Sequence, residues 1–132
     1  MAFDPKFTEL VSVLAEAKAS ADHRRAEEQR LDEEGIAAAK AAFEPIQNFL
    51  KALEAALKQR VASHYQVTET DWIVGAGRDV YMVCYKIAFH EIIFYVSNDF
   101  SRLEFERHDF AISDVASIEQ AIKDWVIAKL RR

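Results

Sequence analysis

The spacing of apolar residues changes period near the middle of this chain, from helical to strand-like, and that switch orders everything else about its fold. In the first half Phe3, Phe7, Leu10, Leu14, Ala17 and Ala21 follow one another in alternating steps of four and three, the narrow seam of a coiled-coil helix. Asp4 is placed to cap that helix, and Pro5 follows at its first turn, where a missing N–H costs nothing. The seam fails at Arg24 and Glu28 and touches only Leu31, within a segment, residues 22–34, that is almost wholly charged. A second seam then runs through Ile36, Ala39, Phe43, Ile46, Leu50, Leu53 and Leu57, one residue out of phase with the first. The phase shift falls at Gly35, a residue type that commonly ends helices, and predicts a turn between two helices there. Pro45 is the rival break, since an interior proline costs about 3 kcal/mol. The second seam keeps its phase across Pro45, which therefore predicts a kink and not a turn.

The second half alternates. Residues 72–74 form a short candidate strand, and Ala76, Gly77, Arg78 and Asp79 a turn. Residues 80–89 read as a longer strand, with Tyr81, Val83, Tyr85, Ile87 and Phe89 on one face and Val80, Met82, Cys84, Lys86 and Ala88 on the other. His90 and Glu91 are expected to form a tight connection into a strand over residues 92–97, and Ser97, Asn98 and Asp99 supply turn chemistry. Residues 100–107 alternate with Leu103 and Phe105 inward and Arg102, Glu104 and Glu106 outward, and residues 110–112 add a short edge strand. A last helix is expected to start near Ser117, where Ser117 and Gln120 match a capping box, with Ile118, Ala121, Ile122, Trp125 and Ala128 as its apolar stripe. Lys129, Arg131 and Arg132 then suit its C-terminal dipole.

Composition agrees with the switch. Residues 1–65 hold 15 of the 21 alanines and residues 66–132 hold 10 of the 15 aromatics, which favour helix and strand respectively. The predicted fold is α+β: an N-terminal long helical hairpin packed on a three- to four-stranded antiparallel meander with a C-terminal helix. All 132 residues are expected to form a single domain, with residues 1–65 as the hairpin and 66–132 as sheet plus helix. The two central strands are apolar on both faces, so both faces call for cover. The helical hairpin can cover one face. For the other the order of expectation is the C-terminal helix, a second subunit, then a ligand.

A formal charge of −5 repels phosphate at long range and argues against DNA or RNA as the main partner. The lone Cys84 rules out an intrachain disulfide and fits a reducing, cytoplasmic setting. No apolar run approaches the ~18 residues of a membrane span, so no membrane partner is expected.

Motifs for chemistry are sparse. Gly75, Ala76 and Gly77 follow a strand, but a phosphate-binding fingerprint needs glycine at position 80, which is Val80. His23, His64, His90 and His108 lack metal-ligand spacing. His90 with Glu91 and His108 with Asp109 would form an acid–base cluster only if the strand ends met. Glu104 and Glu106 alternate on a polar strand face. Cys84 lies mid-strand beside Lys86, and Arg24, Arg25 and Arg30 are interleaved with acids. No catalytic residue, metal site or cofactor is expected.

Two functions from different classes follow. The first is a non-enzymatic protein–protein interaction module of adaptor, chaperone or inhibitor type, possible as a homodimer through its helices. Its partner surface would be Phe43, Ile46, Leu50, Leu53 and Leu57. The same seam can equally pack on the chain's own sheet. The alternative is a small-molecule-binding domain or small enzyme with a pocket between sheet and helices, drawing on Tyr81, Tyr85, His90, Glu91 and His108.

Overall fold

The computed structural model describes residues 5–131, so the expected cap at Asp4, the start of the seam at Phe3 and the terminal Arg132 lie outside the described residues. The architecture is α+β. A single helix, α1 (Thr8–Arg60), leads into an antiparallel sheet and a C-terminal helix, α2 (Val115–Leu130). The sheet strands are β1 (Val67–Glu69), β2 (Ile73–Val74), β3 (Val80–Ile87), β4 (His90–Ser97), β5 (Arg102–Phe105) and β6 (His108–Ala111). The chain divides between Glu34 and Gly35 into two compact units.

The expected hairpin is therefore absent: α1 runs without a break through both Gly35 and Pro45. Gly35 serves contact and not chain reversal. A Cβ on it would lie 2.0 Å from the Tyr81 hydroxyl, so only glycine lets the tyrosine ring approach the helix backbone. Pro45 costs little because it and Ala41, whose carbonyl it leaves without a donor, are both exposed and solvated.

Among the described residues the sheet has six strands in place of three or four. β3 and β4 form its long central hairpin, with Val83 opposite Phe94 and Tyr85 opposite Ile92. β1 and β2 share one edge of β3, pairing at Tyr85–Ile87 and at Tyr81–Met82. β5 pairs with β4 at Tyr95 and Val96, and β6 closes the far edge on β5. The strand not expected is β1, only three residues long, and two turns fall elsewhere than expected. The β3–β4 connection is Ala88 and Phe89, with Ala88 at φ 57°, so His90 and Glu91 belong to β4 and are not the connection. The β5–β6 connection is Glu106 and Arg107 at φ 48° and 66°. Two positive φ values suit the twist of a two-residue hairpin, but such turns normally use Asn or Gly, so the sequence reads there as uninterrupted strand.

In the unit that begins at Gly35, both helices lie on one face of the sheet. Phe43 of α1 meets Trp72, Tyr85 and Phe94 at centroid distances of 5.3, 6.0 and 5.3 Å. From α2, Trp125 meets His90 at 6.4 Å, and Lys123 sits over the Phe49 ring at 5.9 Å. Ile46, Leu50, Ile87, Val96, Leu103, Ile118 and Ile122 complete a fully buried core. Each such side chain is worth about 1.5–3 kcal/mol of burial. The C-terminal helix thus does not cover the second sheet face, because its own stripe is spent beside α1. It begins at Val115, where the Asp114 side chain accepts the Ser117 N–H at 3.4 Å. The cap is thus an aspartate three residues before the expected serine, and Gln120 instead donates to Asp124 at 3.0 Å.

Candidate functional site

The most organised polar cluster joins β1 to α1. The register sets Glu69 opposite Tyr85, so both side chains point to the helix-covered face. There α1 presents Gln47, Leu50 and Glu54, neighbours at helical spacing. The Glu69 carboxylate accepts from Gln47 Nε2 at 2.8 Å, from Trp72 Nε1 at 3.1 Å and from the Tyr85 hydroxyl. Glu54 accepts the Val67 backbone N–H at 2.6 Å. Burial, then the bond to Glu69, pushes the Tyr85 phenol well above its ordinary range, so it stays protonated and acts as a donor. All of these except Trp72 line a cleft of about 80 Å³, with Lys51 and Leu50. That holds a few waters, against roughly 300 Å³ or more for a ligand pocket. Chemically the cluster is a satisfied clamp: Gln47 and Glu54 tie β1 to α1, while Trp72 and Tyr85 hold the Glu69 carboxylate from the sheet side.

Among the pocket residues expected from the sequence, the structure brings only Tyr85 to this cleft. Tyr81 stacks on Phe100 at 5.8 Å and packs against Gly35. His90 lies against Trp125. Glu91 points to the opposite sheet face, 3.8 Å from Lys86. His108 lines a different hollow, of about 360 Å³, with Phe105, Ala121 and Trp125. The two histidine–carboxylate neighbours do not form an acid–base cluster, because adjacent strand residues face opposite ways: Asp109 binds Arg102 at 3.1 Å and Glu91 binds Lys86. Among the described residues no group of three His, Cys, Asp or Glu side chains could hold a metal ion. Burial, and secondarily Glu91, raises the Cys84 thiol above its ordinary range despite Lys86, which disfavours the thiolate. Gln47, Glu54, Glu69 and Trp72 were not singled out by the sequence. The one available signal was a glutamate at the inward parity of a strand.

The expected partner-binding seam is occupied within the chain. Phe43, Ile46 and Leu50 are at most 1% exposed, and Leu53 and Leu57 pack against the same core. The first seam differs. Phe7, Leu10, Val11, Val13 and Leu14 are 46, 53, 43, 56 and 59% exposed, and no described residue before Gly35 is buried. Beyond them the helix surface is held by its own ion pairs, Arg25 with Asp22 at 3.8 Å and Arg30 with both Glu27 and Glu34. The expected basic cluster is thus largely neutralised by its neighbours.

Comparison with protein-family models, with curated proteins and with solved structures gives no match.

Proposed function

We propose that this protein is a non-enzymatic interaction module that self-associates through the apolar stripe at the start of α1. One observation carries the proposal: five large apolar side chains are exposed within the eight residues from Phe7 to Leu14. A helix gains most of its stability in proteins by burying an apolar face, and this stretch buries none. Propensity and surface ion pairs add only about 0.2–0.5 kcal/mol per pair. A second copy of the same stripe would supply the missing burial and satisfy the alternating spacing of four and three. The surface proposed is the first seam and not Phe43, Ile46, Leu50, Leu53 and Leu57, which the chain's own core uses. The lone Cys84 can form no intrachain disulfide, which suits a reducing compartment, and we propose a cytoplasmic setting. No described helix is long and apolar enough to cross a membrane.

The test is molar mass by light scattering across a concentration series. The expected result is a species of ~30 kDa, twice the 15.1 kDa chain, that reverts to one chain mass in Leu10→Lys/Leu14→Lys. A monomer at every concentration would overturn self-association.

A further inference from the structure

Within the unit that begins at Gly35, the face of the sheet turned away from α2 and from this unit's part of α1 carries a second surface. Its centre is apolar and in register: Ile73 lies beside Met82, Met82 beside Tyr95, and Cys84 beside Ile93. Ile73 and Ile93 are 54 and 38% exposed. The apolar strip ends at β5, where Glu104 stands opposite Tyr95. There a shallow hollow of about 420 Å³ has Ile93 and Tyr95 as its apolar part and Glu91, Glu104, Glu106 and Arg107 as its rim.

The charges on that rim do not cancel. Glu91 is matched by Lys86 at 3.8 Å, and the neighbouring Asp109 by Arg102 at 3.1 Å. Among the described residues Glu104 and Glu106 have no ion-pair partner, which leaves two carboxylates against the single Arg107. A purely apolar partner would strip water from both glutamates without replacing it. A second copy of this face would add its own unmatched glutamates. A lysine or arginine fits: its methylene stem covers Ile93 and the Tyr95 ring while its charge meets the carboxylates.

We propose that this helix-free face docks a cationic amphipathic helix of another protein, with apolar residues on Met82, Ile93 and Tyr95 and lysine or arginine at Glu104 and Glu106. The proposal is independent of the α1 stripe.

The test is fluorescence anisotropy of the full chain with a labelled Leu/Lys peptide of helical period and with a peptide of the same composition in shuffled order. Expected are saturable binding of the periodic peptide only, weakening with salt, and a loss of at least about tenfold in Glu104→Lys/Glu106→Lys. Leu10→Lys/Leu14→Lys should bind unchanged. If the charge-reversed chain fails to fold, Glu104→Gln/Glu106→Gln decides by the same criterion. Equal binding of the shuffled peptide, undiminished binding by the folded Glu104/Glu106 variant, loss of binding in the α1 variant, or no binding at all would each overturn the proposal.

Discussion

One helix contains two stretches written in the same apolar rhythm, and they meet opposite fates. Before Gly35 the seam of Phe7, Leu10 and Leu14 is about half exposed, while after it Ala39, Phe43, Ile46 and Leu50 are at most 1% exposed. The difference lies in what stands opposite. The later stretch faces Trp72, Tyr85 and Phe94, and aromatic rings bring large areas and favourable edge-to-face geometry. The earlier stretch keeps its helix with alanine and local ion pairs. A periodic seam therefore states that something should cover it, and the rest of the chain decides whether that cover is its own.

The largest break in this contrast should come from Phe43→Ala. Emptying the site among three aromatic rings is expected to cost about 3–5 kcal/mol, read as a drop in the urea midpoint with unchanged slope. A cost below about 1 kcal/mol would mean that the core is far looser than its burial implies.

At the boundary, Gly35→Ala sharpens the comparison. Helix propensity alone favours alanine by about 1 kcal/mol. The new methyl group would meet the Tyr81 ring, with its hydroxyl at 2.0 Å, and overpacking typically costs about 1–3 kcal/mol. The expected outcome is net destabilisation, relieved when Tyr81→Ala is added. A more stable Gly35→Ala chain would show that Gly35 is an ordinary helix residue.

Acid should weaken the sheet side at the turn held by Asp99. Asp99 accepts from the Ser101 and Ser97 hydroxyls at 2.6 and 2.7 Å and from the Ser101 N–H at 3.1 Å. The Ser101 hydroxyl, then Ser97 and the Ser101 N–H, hold its carboxyl down to about 2 from 3.8. A folded value below the unfolded one means stability that is present above the unfolded value and lost as pH falls toward the folded one. The wild-type advantage over Asp99→Asn in urea should be full above about pH 5, shrink as the pH falls and vanish only below the folded value of about 2. An advantage that grows on acidification would contradict the sign. Both chains should keep the same ordering at high salt, since these hydrogen bonds are short-ranged.

The smallest effect on the fold should come from Leu14→Ala. Truncating an exposed side chain should shift the unfolding midpoint of the sheet unit by no more than about 0.5 kcal/mol. The same change should weaken self-association, so a stability loss comparable to that of Phe43→Ala would place Leu14 in the core and erase the contrast.

Much of the architecture was legible in particular residues. The steps of four and three announced α1, the alternation of Leu103 and Phe105 with Arg102 and Glu104 announced β5, and the stripe of Ile118, Ile122 and Trp125 announced α2. The hairpin was misread because a glycine that admits a tyrosine ring has the same letter as one that ends a helix. The strand count was misread because β1 is only three residues long, too short to show an alternation. Two turns were misplaced because Ala88, Glu106 and Arg107 take positive φ without glycine or asparagine, a conformation that single-residue preferences disfavour. The cluster around Glu69 was hidden because Gln47 and Glu54 come from α1 and Tyr85 from β3. Gln47 and Tyr85, which bond to Glu69, lie 22 and 16 residues from it, and only Trp72 is a sequence neighbour.

The sequence by itself determined the periods, and with them the kinds of element and the faces each one needs to cover, because side-chain direction follows backbone repeat. Only the tertiary structure decided which seam is buried, that both helices share one sheet face, and that Gly35 is a contact. Burial and close approach are properties of two surfaces together, and a single strand or helix carries only one of them.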